Sequence, residues 1–255
     1  MKTLDFAHAT AFTDERSLIM LMVVLIAGII RGFTGFGSAL LAVPALATIY
    51  GPVEAVVIEV LIEIPVCLTL LHTALKRSER QTIFPMIAMF IVFVPIGALL
   101  LTITNPATVK VLISLFVLAA LALIWQQPRV TRIFSPKFNY IVGAISGITQ
   151  GLTGMAGPLF ATALIARGDS STCTRANISA LALAIIFLSV ASFALVGLIT
   201  KTLVLYAILA SPAIMLGVWI GSFLFSRFGE SKLRVVILYF LAFTALITLF
   251  ETLFY

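Results

Sequence analysis

Ile30-Arg31-Gly32-Phe33-Thr34-Gly35-Phe36-Gly37-Ser38 breaks a long apolar run with three glycines, two hydroxyls and a charge. From Ser17 to Tyr50 the chain is otherwise almost wholly apolar. One helix through all of it would reach about 50 Å, against a hydrocarbon core of about 30 Å. A single straight crossing does not fit. Glycine lowers helix stability by roughly 1 kcal/mol relative to alanine, so three within six positions predict two half-helices meeting at an unwound turn. Backbone laid open at membrane depth is tolerated only where protein buries it or where it lines a watery cavity. The functional centre is therefore expected at this break.

The device occurs twice. Gly32-Phe33-Thr34-Gly35-Phe36 is matched by Gly151-Leu152-Thr153-Gly154-Met155, 119 positions on and close to half the chain away. Each copy sits in an apolar run followed by three more helical segments, which predicts an internal repeat, 17–127 and 137–254. Paired glycine-interrupted segments at corresponding places in two halves point to a transporter's substrate site. The alternative is that both sets of glycines serve close packing between helices.

Composition places the chain among polytopic helical membrane proteins, with 62% hydrophobic and only 10% charged residues. The net charge of +6 resides mostly in short loops between apolar segments, where Lys and Arg set topology; no stretch suits nucleic acid. Cys67 and Cys173 lack metal-ligand spacing and read as small buried hydrophobes. No metal or cofactor is expected.

After the first broken segment the spacing predicts helices over about 53–75, 82–102 and 106–125, with Pro85 and Pro95 as kinks. The basic linker of Arg129, Arg132 and Lys137 separates the halves. A second broken segment follows from Tyr140 to Ala166, then helices over about 176–199, 202–226 and 233–254. Residues 18–30 could pass for a signal-peptide core, but the apolar run resumes too far beyond the break for cleavage.

Charge decides how these segments cross. If all eight span, nine Lys and Arg fall on one side and six on the other. If each broken segment is instead a re-entrant hairpin that enters and leaves by one face, the split becomes eleven against four, which the positive-inside rule favours. Three full crossings per repeat would then place the halves in inverted orientation.

The paired breaks, with Pro44 and Pro158 downstream in a four-plus-four membrane chain, resemble the TauE/SafE family of sulfite and organosulfonate exporters over essentially the whole length. Members are prokaryotic or plant membrane transporters that move small sulfur-containing anions, usually outward. The resemblance implies a secondary transporter of sulfite, sulfoacetate or another organosulfonate. It would bind its anion between the two broken helices, as a monomer or homodimer in the cell inner membrane. A carrier of small carboxylates and an anion channel are the alternatives.

Anion binding also follows from the residues themselves. Two half-helix N-termini carry free N–H groups and about half a positive charge each, and glycines let backbone approach an oxyanion. The binding set is then Arg31, Gly32, Thr34, Gly35, Gly37 and Ser38 from the first break, and Gln150, Gly151, Thr153, Gly154 and Gly157 from the second. Asn177 opens the next helix. Arg31 offers a bidentate grip on sulfite, sulfonate or carboxylate oxygens, or else snorkels to an interface or pairs with a glutamate. Each hydroxyl or amide either reaches the anion or caps the local backbone.

Glu59 and Glu63 lie four apart on one face of the second segment. An intramembrane carboxylate is expensive, so Glu63 is either a partner of Arg31 or, with Glu59, a proton-coupling site; the third reading is that Glu54 and Glu59 merely sit near a watery rim. His72 reads as interfacial. An enzyme is disfavoured: Ser38 has only His8 and His72 as conceivable partners, and the aspartates are limited to Asp5, Asp14 and Asp169.

Overall fold

The computed structural model describes residues 15–71, 74, 76, 78–125 and 136–228. Among these residues there are nine helices and no strand: α1 (Glu15–Thr34), α2 (Ser38–Tyr50), α3 (Pro52–Thr69), α4 (Arg80–Ile103), α5 (Pro106–Trp125), α6 (Pro136–Thr153), α7 (Gly157–Ala166), α8 (Ser171–Leu195) and α9 (Lys201–Phe228). Five of them, α1, α4, α5, α8 and α9, are long and apolar enough to cross a bilayer. Large apolar side chains such as Ile103, Leu195 and Trp219 face outward, as lipid contact requires and water would penalise. The N-terminal tail, His72, Arg129 and Arg132 of the linker, and the expected helix over 233–254 lie outside the described residues.

Both expected breaks are present. The chain leaves α1 and α6 through matching bonds, Gly35 N–H to the Arg31 carbonyl at 2.7 Å and Gly154 N–H to the Gln150 carbonyl at 2.8 Å. Gly35 and Gly154 then take positive φ, 84° and 72°. A side chain there would meet its own carbonyl, so glycine ends each helix at little cost. Pro85 and Pro95 are both accommodated inside the single span of α4.

Other glycines have a different task. A Cβ on Gly32 would lie 2.9 Å from Ser222 N, and one on Gly217 the same distance from Gly28 Cα, so α1 and α9 cross backbone to backbone. The contacts advance together, Leu25 with Gly217, Ile29 with Gly221 and Phe33 with Phe225, which makes the two helices parallel. The pair α6 and α4 repeats the pattern, with Gly143 on Met86, Gly147 on Phe93 and Gly151 on Ala98. Close small-residue packing of this kind supplies dispersion contact where lipid offers no hydrophobic drive.

The ends of the broken segments also come together. Tyr50, last in α2, donates its hydroxyl to the Arg16 carbonyl near the start of α1 at 3.4 Å, and its ring packs at 5.1 Å on Tyr206 near the start of α9. Thus α2 returns to where α1 began. At the second break, Asn139 near the start of α6 donates to the Thr82 carbonyl at 3.5 Å, and Arg167, just past α7, pairs at 3.4 Å with Glu79, just before α4. The first cluster lies at the start of α9 and the second at the start of α4.

Candidate anion site

The two breaks meet. Phe36 of the first lies against Gly157 of the second, and Val43 of α2 and Val56 of α3 touch the turn at Gly154. Between them is a cavity of about 40 Å³, small enough for a compact oxyanion or a few waters. Its walls include Arg31, Gly37, Ser38, Glu59, Glu63, Gln150, Gly154 and Gly157, with an apolar side of Phe160, Ile185 and Ile186.

Arg31 ends α1 with its backbone carbonyl closing the helix and its side chain turned inward. Nη2 pairs with Glu63 Oε2 at 2.8 Å, and at least nine-tenths of both side chains is buried. Ser38, the first residue of α2, donates to the other Glu63 oxygen at 2.5 Å. Cys67 completes the cluster, accepting from Arg31 Nη2 at 3.8 Å and donating to Glu63 at 3.9 Å. Glu59, Glu63 and Cys67 recur every four residues, so α3 presents them on one face. Reading Cys67 only as a buried hydrophobe missed this, although its spacing from Glu63 was a usable signal.

Four atoms in this cavity remain without a hydrogen-bond partner: Arg31 Nε, Gln150 Nε2 and both oxygens of Glu59. Gln150 sits 119 positions after Arg31 at the equivalent end of α6, and its Oε1 accepts from Ala156 N at 3.1 Å, which holds the amide nitrogen toward the cavity. Neither N-terminus beside the cavity, at Ser38 or at Gly157, carries a side-chain cap. The partial positive charge of each helix end therefore remains there, although Pro158 has no N–H and those of Leu40 and Leu159 already bond the Gly37 and Ala156 carbonyls.

Several expected site residues lie elsewhere. Gly32 and Gly151 are occupied by the facing backbones of α9 and α4. Thr34 donates to the Ile30 carbonyl at 2.8 Å and Thr153 to that of Thr149 at 2.8 Å, both local bonds at the ends of broken helices. Gly35 forms the turn and is not among the cavity's lining residues. Asn177 accepts from Glu79 N at 2.7 Å, tying α8 to the segment before α4. Among the described residues no cluster of His, Cys, Asp or Glu is suited to a metal.

The sulfite exporter TauE/SafE family matches residues 20–248, nearly the whole chain. The protein belongs to the TauE/SafE family. Membership makes it an exporter-type anion transporter at the level of the family, and its long apolar helices make it a multi-pass membrane protein. No curated protein and no solved structure matches this TauE/SafE chain significantly.

Proposed function

We propose that this TauE/SafE protein is a secondary transporter that moves a small sulfur-containing oxyanion, sulfite or a short organosulfonate, out of the cell through the cavity between its broken helices. The observation carrying this reading is the convergence of unpartnered donors there: Arg31 Nε, Gln150 Nε2 and two uncapped helix N-termini. Donors fixed in a site of low dielectric favour an anion, and their fork geometry suits tetrahedral or pyramidal oxygens.

The halves 17–127 and 137–254 form an inverted repeat in this reading, each opening with a re-entrant hairpin in the inner membrane. The return of Tyr50 to Arg16, and of Arg167 to the end of α4 where Asn139 lies, supports hairpins that open on opposite faces. Lys76, Arg80, Lys137, Arg167, Arg175 and Arg227 mark the second face as cytoplasmic by the positive-inside rule. Rocking of one half against the other around the fixed site would alternate its access.

Purified protein in liposomes loaded with unlabelled sulfite should accumulate labelled sulfite by exchange, with methanesulfonate and sulfoacetate competing. Arg31→Lys replaces a planar fork by a point charge and should raise the half-saturating concentration by about tenfold. Exchange that is absent, or indifferent to Arg31→Lys, would refute the assignment.

A further inference from the structure

The cavity's polar atoms do not all suit an anion. Glu59 is 1% exposed, lines the cavity, and neither of its carboxylate oxygens holds a hydrogen bond of normal geometry, the neighbouring Ser38 hydroxyl being donated to Glu63. Its neighbour four residues on is already employed: Glu63 is paired with Arg31 and held by Ser38. The two carboxylates, indistinguishable by residue type, are thus separated by their partners.

The charges facing Glu59 can be taken element by element. From α1 comes Arg31; from α3 itself comes Glu63, with the thiol of Cys67 behind it; α2 and α6 contribute the uncharged Ser38 and Gln150; α7 and α8 contribute only apolar or small residues. With both carboxylates ionised the cavity holds one positive and two negative charges. A net negative, water-poor site repels the anion that its donors are arranged to receive. One bound proton removes that conflict.

We propose that Glu59 is a proton-binding site that must be filled for the cavity to accept an anion, so that each anion crosses with one proton. The proton enters from the aqueous face to which the cavity is open, forms the Oε–H bond of Glu59, and leaves to water on the other face when the anion departs. Protonated Glu59 also supplies a hydroxyl donor to the anion, and its now neutral carboxyl no longer leaves a buried charge unpaired. A monovalent anion would then cross without net charge. Its flux would follow the product of the anion and proton gradients, so export from an alkaline cytoplasm would run on the anion's own outward gradient, and a pH difference imposed alone would drive the anion toward the alkaline side. This inference rests on the anion site proposed above.

The test uses proteoliposomes and two probes whose own charge is constant over the working pH range, methanesulfonate and thiosulfate. An internal pH dye should report one proton entering with each anion. Affinity of the wild type should weaken about tenfold as the medium is made alkaline. Glu59→Gln, which keeps shape and donor capacity without a titrating group, should abolish both the proton movement and the pH dependence of affinity. Flux of either probe without accompanying protons in the wild type would overturn the proton site and leave the anion site standing. That measurement needs no variant to fold. Persistence of the full pH dependence in Glu59→Gln would also overturn it. Absence of any anion flux would remove the anion site, and the proton site with it.

Discussion

Arg31 and Glu63 meet at 2.8 Å across two helices that the break at Gly35 brings together, and both side chains are almost wholly buried. The pair joins α1 to α3, and through Ser38 it also fixes the first residue of α2. Removing either partner leaves a buried charge uncompensated, which typically costs about 3–5 kcal/mol. Arg31→Met and Glu63→Gln should therefore each lower the unfolding temperature of the purified protein sharply. The double variant should recover much of that loss, while remaining unable to bind anion. A double variant no more stable than the worse single would show that the two residues do not stabilise each other.

The bond from Tyr50 to Arg16 predicts which faces the loops occupy. Single cysteines replacing Arg16, Thr48, Asn105 and Lys201 should all react with an impermeant thiol reagent from outside the cell. Those replacing Ser78 and Asp169 should react only after the membrane is opened. Labelling of Arg16→Cys and Thr48→Cys from opposite sides would mean a plain crossing rather than a hairpin.

Two kinds of glycine should respond differently to substitution. Gly32→Val or Gly151→Val pushes a side chain into the backbone of a neighbouring helix, which cannot yield as a flexible side chain would. Overpacking of this kind costs about 1–3 kcal/mol or more, so both variants should show poor yield of folded protein. Gly35→Ala meets no atom within 4 Å but must hold a φ of 84°. The strain of about 1–2 kcal/mol should leave it folded, with a lowered unfolding temperature. Equal tolerance at Gly32 and Gly35 would contradict this division.

Gln150→Leu removes a cavity donor and also strands the N–H of Ala156. The stranded group should cost about 1–3 kcal/mol. The lost donor should weaken sulfite exchange by about tenfold in the same liposomes, roughly what one hydrogen bond to a charged ligand is worth. Exchange kinetics equal to wild type would place Gln150 outside the anion's reach.

The bends were legible because Gly35 and Gly154 interrupt apolar runs at the same offset, and that offset also brought Arg31 and Gln150 into correspondence. Glycines that turn a chain and glycines that let helices cross have the same composition, so Gly32 and Gly151 could not be told apart from Gly35 and Gly154 by the motif alone. The missing signal lay far away, in Gly217 and Gly221 of α9 and in Gly97 of α4, whose spacing matters only once the helix pairs are known. Likewise the four-residue step from Glu59 to Glu63 puts both on one face, but only the position of α1 decides which of them reaches Arg31. Thr34, Thr153 and Asn177 carry the hydrogen-bonding groups of ligand-binding residues and spend them on nearby backbone, an outcome that depends on geometry of less than an ångström.

The crossing of α1 on α9 has a bearing on how the protein is made. Ser222 donates to the Gly32 carbonyl across 190 residues of chain. At a synthesis rate of about 5–20 residues per second, the first hairpin waits on the order of 10–40 s for the helix that covers its glycine face. The second hairpin has no such delay, because α4 is already in place when α6 emerges. During that interval the first half is an unfinished surface of small residues in lipid, available to chaperones of the insertion machinery or to a second nascent copy. Assembly is therefore expected to run from the α4–α6 crossing outward, with α9 arriving late to secure α1.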